Sequence, residues 1–176
     1  MANPSDVFLS YSHLDNEAAE GVGFISRLVK FIQVGVSLKY GRRVTIWWDE
    51  NLAAGTQWNQ EIYDQLSECR VFLAIVSPSW TNSQWAGQEW HAVWNRLAVD
   101  QTLGTQTRII PVSFEYSKGF ISTLPEQQRS LQFRRHFRMV MTDAEFKTEV
   151  DALAEDISRL LKRLDEKTAA EMGSTA

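Results

Sequence analysis

The sequence predicts an α/β fold in which a parallel sheet is covered by helices on both faces. Short apolar runs rich in β-branched and aromatic residues recur along the 176-residue chain, mostly without alternation, as is typical of strands buried on both faces. Segments with helical spacing separate these runs, and strands that alternate with helices form parallel sheets. Connections between parallel strands are right-handed, which places helices on both faces.

The predicted strands are short. In chain order they are Val7–Tyr11, Val44–Trp48, Val71–Val76, Ile109–Phe114 and Phe137–Met141. The least regular stretch is Ser117–Gln132, where Pro125 interrupts the pattern, and we expect a short helix and a loop there.

Apolar residues at helical spacing define the segments between the strands. They are Ala18, Val22, Ile25, Leu28, Val29 and Ile32 in the first segment, Trp58, Ile62 and Leu66 in the second, and Trp85, Val93 and Leu97 in the third. The last segment carries a long apolar stripe from Phe146 to Leu164. It opens with Thr142-Asp143-Ala144-Glu145, a capping-box pattern.

Length and composition indicate one globular domain, which we assign to residues 5–166, followed by a polar tail or linker start at 167–176. The net charge of −4 argues against nucleic acid as the main partner, because phosphate binding requires a basic face. The lone Cys69 cannot form an internal disulfide. No signal peptide is apparent, and no apolar run approaches the roughly 20 residues that span a bilayer. We therefore expect a cytoplasmic chain without a membrane partner.

Several common functional motifs can be rejected because the residues that would form them have the wrong position or spacing. Gly21-Val22-Gly23 supplies two glycines of a dinucleotide fingerprint, but it falls within the predicted first helix. The histidines share no ligand spacing, so we expect no metal site. A phosphoacceptor receiver domain would have an aspartate after the third strand, where Ser77 stands. The basic segment 134–138 is interpreted as the solvated rim of an edge strand.

An ordered set of segments resembles the Toll/interleukin-1 receptor (TIR) domain family, in particular its bacterial-type, NAD-consuming branch. The first box is similar to Asp6–Asp15, with the sequence DVFLSYSHLD. The second strand and BB loop resemble Val44–Asp49 with Leu52–Gly55, and the helix that follows resembles Glu61–Cys69. The third strand and a Ser-x-Trp-x-x-x-Glu segment resemble Val71–Ser77 and Ser83–Glu89. Together these matches cover about half of the chain.

The resemblance implies a flavodoxin-like five-stranded parallel sheet and one of two functions. Many TIR domains are NAD glycohydrolases or cyclases, which release nicotinamide and leave ADP-ribose or a cyclic ADP-ribose. Others are non-catalytic TIR–TIR interaction modules. We favour the enzyme, activated by self-assembly in antiviral defence signalling. A third hypothesis, a flavodoxin-like sensor of another nucleotide, would be favoured by binding of FMN.

The same resemblance implies the partners. NAD is a substrate, and no resident cofactor is expected. The protein partners would be other TIR domains and a fused or separate sensor or effector domain.

Glu89 is the catalytic candidate that the resemblance implies, one helical turn after Trp85. Spacing alone favours an ordinary exposed helical glutamate, as most glutamates are. The chemistry suits a single carboxylate, because nicotinamide departs as a neutral group and needs no general acid, unlike an ordinary glycoside. Glu89 would stabilise the oxocarbenium charge. Trp85 would pack on the nicotinamide ring, with a cation–π contribution of about 1 kcal/mol.

The other substrate-binding candidates stand at the ends of the first two strands, where ligands bind in such sheets. They are Ser10, Tyr11, Ser12, His13, Trp48 and Asp49. Some family members carry arginines where Ser12 and His13 stand here. Trp48 is equally a core residue, and Asp49 is equally a brace for the loop.

The resemblance also implies a self-association loop that joins protomers and completes the active site. Its residues are Glu50, Asn51, Leu52, Ala53, Ala54, Gly55 and Thr56. Packing roles are assigned to Trp58, Trp90, Trp94 and Cys69.

Overall fold

The structure, a computed structural model, describes residues 5–17, 22–48, 60–99, 108–114, 122, 124–129 and 133–174. Within these residues one parallel sheet contains β1 (Val7–Ser10), β2 (Ile46–Trp47), β3 (Val71–Val76), β4 (Ile109–Phe114) and β5 (Arg135–Phe137). The strand order is β2-β1-β3-β4-β5, which is the flavodoxin-like order. The predicted fold class is confirmed.

Helices cover both faces of the sheet and create two apolar cores. The described helices are α1 (Phe24–Tyr40), α2 (Gln60–Glu68), α3 (Pro78–Thr81), α4 (Gln84–Val99), α5 (Glu126–Arg129) and α6 (Asp143–Gly173). Residues such as Leu9 and Leu73 meet α1 and α6 in the first core. Phe8 and Phe72, which point to the opposite face, meet α2, Trp80 of α3 and α4 in the second core. No helix among the described residues is long and apolar enough to cross a membrane.

The first helix starts later than its apolar spacing predicts. Asn16 Oδ1 accepts a hydrogen bond from the backbone N–H of Ser26 (2.9 Å) and so caps α1, whose N-cap residue is Gly23. A Cβ at Gly23 would lie 2.0 Å from the carbonyl oxygen of Asn16, so only glycine fits there. Val22 is 61% exposed and precedes the helix. The placement of Gly21-Val22-Gly23 inside a helix is therefore wrong at Val22 and Gly23, while Gly21 lies outside the described residues.

The fifth strand starts two residues earlier and ends four residues earlier than predicted. Its ladder with β4 runs from Val112–Arg135 to Phe114–Phe137. Beyond Phe137 the chain leaves the sheet, and Val140 is 90% exposed. The apolar run was misleading because β5 is an edge strand whose earlier residues are basic. Its Arg135 forms an ion pair with Asp156 of α6 (2.9 Å), which agrees with the predicted edge-strand rim.

The last helix begins as the capping-box pattern predicts. Thr142 Oγ1 accepts from the backbone N–H of Glu145 (3.2 Å), and the Glu145 side chain accepts from the backbone N–H of Thr142 (2.8 Å). The hydrogen bonds that the Glu145 carboxylate accepts from the backbone N–H and the hydroxyl of Thr142 lower the pKa of Glu145. The helix continues through the polar segment that starts at Lys167 and ends at Gly173. Buried residues of α6 extend only to Leu161, so this segment adds little to the core.

A charged network joins the amino ends of the strands to α6. Asp6, just before β1, forms ion pairs with Arg42 (2.9 Å) and Arg70 (3.3 Å). Arg70 also contacts Asp165 of α6 (2.6 Å), and Tyr40 donates a hydrogen bond to the same aspartate. This network ties β1, β3, α1 and α6 together at one end of the sheet.

Candidate functional site

The carboxyl ends of β1 and β3 lie side by side where the strand order reverses. Ser10, the last residue of β1, pairs in register with Ala74 of β3. β3 ends at Val76, and the side chain of Ser77 then caps α3 by accepting from the backbone N–H of Trp80 (3.0 Å). In open parallel sheets ligands bind at this switch point. The candidate site is therefore built around these two strand ends.

Glu89 reaches the end of β1 from α4. The Ser10 hydroxyl donates a hydrogen bond to Glu89 Oε2, and Trp80 Nε1 donates to Ser10 Oγ at 2.9 Å. Trp80 is 1% exposed, whereas Glu89 is half-buried. The structure thus brings together two predicted site residues, Ser10 and Glu89, that lie 79 positions apart in the sequence.

Trp85 lies one turn before Glu89 on α4, and both side chains are half-buried. Residues four positions apart project from neighbouring points of one helix face. The indole and the carboxylate are therefore presented from the same side of α4, as the spacing predicts.

Other residues assigned to packing are in the core. Trp90 is 3% exposed, stacks on Trp94 (5.7 Å between centroids) and meets Trp80 edge-on (6.1 Å). Cys69 is fully buried, and this burial raises the pKa of its thiol although Arg96 lies 3.2 Å from the sulfur. Their predicted packing roles are confirmed. Trp58, which was also assigned to packing, lies outside the described residues.

Tyr11, His13 and Trp48 form a second cluster. The Tyr11 ring lies 5.4 Å from the His13 ring and 6.2 Å from the Trp48 ring, between centroids. Tyr11 and Trp48 pack against the core of α1 and α6, whereas Ser10 contacts Trp80 of the other core. The sheet therefore divides the predicted substrate-binding residues between its two faces.

Asp15 lies beside the end of β3 and is buried. Ser77 Oγ donates to Asp15 Oδ2 (2.6 Å), and Ser79 Oγ donates to Asp15 Oδ1. Ser12 is also buried, and its carbonyl oxygen accepts from the backbone N–H of Asp15 (2.9 Å). These contacts fix the turn after β1 to the turn after β3.

The sequence analysis missed Trp80 and Asp15. The signal for Trp80 is its position four residues after the end of β3, in the short helix that Ser77 caps. Asp15 stood inside the first matched box. Neither position predicts its partner, because hydrogen bonds across the sheet depend on the register of strands that are far apart in sequence.

Part of the predicted site lies outside the described residues. This is so for Asp49 and for the loop from Glu50 to Thr56. In the described part of the chain, no group of three or more His, Cys, Asp or Glu side chains is arranged to hold a metal ion.

The geometry around Glu89 suits the stabilisation of positive charge. Oε2 accepts from Ser10, and a carboxylate has further lone pairs that can accept hydrogen bonds from hydroxyl groups of a ligand. Such preorganised acceptors favour a transition state in which positive charge develops beside them.

Comparison with known proteins identifies the family and the fold. A family model described as TIR domain matches residues 33–157. No curated protein matches the chain significantly. The structure is similar to a diflavin flavoprotein A3 from Nostoc sp., with a TM-score of 0.51 and 17% identity over 94% of this chain and 99% of that one. The metal-soaked Flv1 flavodiiron core from Synechocystis sp. gives a TM-score of 0.46 and 16% identity over 90% of this chain.

The chain spans 35% of the length of that flavodiiron protein. At 17% identity, the likeness to the diflavin flavoprotein shows the fold alone.

Proposed function

The chain belongs to the TIR domain family, and we propose that it cleaves the nicotinamide–ribose bond of NAD with Glu89 as its catalytic residue. The family contains both NAD-cleaving enzymes and non-catalytic adaptors. The observation that favours the enzyme is the hydrogen bond that Ser10 donates to Glu89 at the switch point of the sheet. A glutamate on an exposed helix surface would have no such anchor on an interior strand of the sheet.

The reaction requires little from the protein beyond stabilisation of the positive charge that develops on the ribose ring. The bond between ribose C1′ and the pyridinium nitrogen breaks, its electron pair stays on nitrogen, and neutral nicotinamide leaves. The positive charge passes to the ribose ring, where the carboxylate of Glu89 stabilises it. Removing one such preorganised group typically costs about 10²–10³-fold in rate.

The capture step determines the product. Water adds to C1′ and releases a proton, which gives ADP-ribose. A nucleophilic atom elsewhere in the same molecule gives a cyclic ADP-ribose instead. Both products follow from one oxocarbenium-like transition state, so the proposal covers a hydrolase and a cyclase.

Substrate binding is assigned to the aromatic residues around the site. Trp85, one turn from Glu89, packs on the nicotinamide ring. Because this attraction acts in the ground state as well, its removal should raise KM more than it lowers kcat. Tyr11, His13 and Trp48 are assigned to the rest of the dinucleotide because they stand at the same end of the sheet.

The proposal includes activation by self-assembly, with the loop 50–56 joining protomers, and a role in antiviral defence signalling in the cytoplasm. An active site that a neighbouring protomer completes is nearly silent in a monomer. Activity per protomer should therefore rise with protein concentration.

The test is chromatography of NAD after incubation with concentrated protein, in solution and crowded on beads. Wild-type protein should release nicotinamide, and Glu89→Gln should lower the rate of release by about 10²–10³-fold. The matched control is Glu68→Gln, an exposed helical glutamate of α2, which should leave activity unchanged. The second product distinguishes hydrolysis from cyclisation.

Two outcomes contradict the proposal. Absence of nicotinamide release in every assembled condition would favour the non-catalytic interaction module. Binding of FMN without cleavage of NAD would favour a nucleotide sensor.

A further inference from the structure

We infer that Ser10 and Trp80 are positioning residues for Glu89, linked as a relay from the Trp80 indole through the Ser10 hydroxyl to the Glu89 carboxylate. The inference rests on the proposed function for its catalytic consequence. It assigns to Ser10 a role different from direct contact with ribose or phosphate, and it gives a role to Trp80, which no motif identifies.

The relay consists of two hydrogen bonds between three distant parts of the sequence. Trp80 Nε1 lies 2.9 Å from Ser10 Oγ, and Ser10 Oγ donates to Glu89 Oε2. The bonds span 70 and 79 positions of the sequence, so they join β1 to α3 and to α4. Local chain geometry does not impose them.

The direction of the relay is fixed by chemistry. An indole N–H can only donate, so Ser10 Oγ must accept from Trp80. A serine hydroxyl has one proton, and with Trp80 as donor to its oxygen that proton is directed to Glu89. The acceptor at Glu89 Oε2 is a carboxylate oxygen, as the proposed chemistry requires. Trp80 thus determines where the Ser10 proton points.

The position of the Trp80 side chain is fixed by its own packing and does not depend on Glu89. Its side chain is 1% exposed, and its ring meets Trp90 edge-on at 6.1 Å. Its backbone N–H donates to the side chain of Ser77, the N-cap residue of α3. Ser10 is equally constrained, since it is buried and pairs with Ala74 in the sheet. Glu89 Oε2 therefore accepts from a donor whose position is fixed by the sheet.

A fixed donor to Oε2 restricts the rotamers of Glu89 and orients the carboxylate. A displacement of about 1 Å in a reacting group can cost on the order of 10²-fold in rate. Loss of the relay should therefore lower kcat by about 10–100-fold and leave KM within about twofold, because a positioning effect acts on the transition state.

The kinetic test uses a double-mutant cycle. Ser10→Ala and Trp80→Phe should each lower kcat, and the double variant should be no slower than Ser10→Ala, because Trp80 acts through Ser10. Ser10→Thr, which keeps the hydroxyl, should retain most of kcat. Additive losses, or equal losses in Ser10→Thr and Ser10→Ala, would overturn the relay.

A second readout does not depend on activity. In protein labelled with ¹⁵N-tryptophan, the Trp80 indole signal is assigned by its loss in Trp80→Phe, or in Trp80→Tyr if Trp80→Phe does not fold. Ser10→Ala and Glu89→Ala, which remove the two partners of the relay, should both shift this signal, whereas the matched control Glu68→Ala should not. An indole signal that is unchanged in Glu89→Ala overturns the relay even if the enzyme is active.

The two arms separate the two proposals. Wild-type protein that leaves NAD intact overturns the proposed function, and with it the catalytic role of the relay, even where the indole signal shifts. Active protein whose Ser10→Ala variant keeps full kcat overturns the relay and leaves the proposed function standing.

Discussion

The two ends of the sheet hold their carboxylates in different ways. At the amino end, Asp6 forms ion pairs with Arg42 and Arg70. At the carboxyl end, the hydrogen bond described for Glu89 comes from the Ser10 hydroxyl. The first arrangement neutralises a charge, whereas a hydroxyl donor orients a carboxylate and leaves its charge unchanged.

The amino end is built for stability, as the pKa values there indicate. Burial acts to raise the pKa of Asp6, but hydrogen bonds from Arg42, Thr45 and Arg70 outweigh it and hold the pKa below its usual value. For Asp165, hydrogen bonds from Tyr40 and Arg70 likewise outweigh burial and lower the pKa. We therefore expect substitutions in the amino-end network to change stability and substitutions around Glu89 at the carboxyl end to change activity.

The largest expected effect on stability is that of Asp6→Asn. The side chain of Asp6 is 9% exposed, and its loss leaves Arg70 without one of its two carboxylate partners. We expect the free energy of unfolding to fall by about 2 kcal/mol, less than for a fully buried pair because Arg42 is half exposed. Urea unfolding followed by tryptophan fluorescence measures it.

The matched control for this substitution is Asp151→Asn. Asp151 also forms an ion pair, with Lys39 at 2.9 Å, but its side chain is 72% exposed. Surface pairs contribute about 0–1 kcal/mol, so the control should change stability little. Equal effects of the two substitutions would mean that the amino-end network is no more than surface charge pairing.

The next largest effect is expected from acid, which should reduce the contribution of the amino-end network to the free energy of unfolding. Because Asp6 has a lower pKa in the folded than in the unfolded protein, its contribution is complete above an unfolded value of about 3.9 and is lost as pH falls through the folded value. The free energy of unfolding should therefore drop as the pH falls below about 4. Asp6→Asn should show a shallower drop. An unchanged acid slope in this variant would place the titrating group elsewhere.

A smaller effect is expected from Thr142→Ala at the carboxyl end. Because α6 follows β5, its N-terminus lies at this end, and Thr142 caps it. Loss of an N-cap side chain typically costs about 1 kcal/mol. The melting temperature should fall while NAD cleavage per folded molecule stays constant, with Thr142→Ser as the control that keeps the hydroxyl. A specific loss of activity would show that the functional region extends to α6.

Much of the fold could be predicted because buried strands and capped helices leave local signals. The run Val71–Val76 coincides with β3, and Thr142 begins α6 as its pattern indicates. Errors arose where tertiary contacts outweigh local pattern. At Gly23 a close approach to Asn16 determines where the helix starts. In β5 only Phe137 is buried in the core, and its neighbours are predominantly basic.

The site could be predicted in part. Trp85 and Glu89 are four positions apart in one helix, so the sequence is sufficient to predict that they share a helix face. The Trp80–Ser10 hydrogen bond depends on the placement of α3 over the end of β1, which no local pattern encodes. Likewise, the separation of Tyr11 from Ser10 across the sheet requires knowledge of which face each core occupies.

The smallest expected effect on stability is that of Glu89→Gln. The glutamine amide oxygen can still accept from Ser10, and the volume hardly changes, so the free energy of unfolding should stay within about 0.5 kcal/mol. The same urea titration measures it beside Asp6→Asn. If the free energy of unfolding fell as much as in Asp6→Asn, Glu89 would be a structural carboxylate. The inactivity of Glu89→Gln could then be explained by loss of folding and would not identify a catalytic role. Unchanged stability together with lost activity would show that the carboxyl end serves function whereas the amino end serves stability. Groups at functional sites often add little to the free energy of folding.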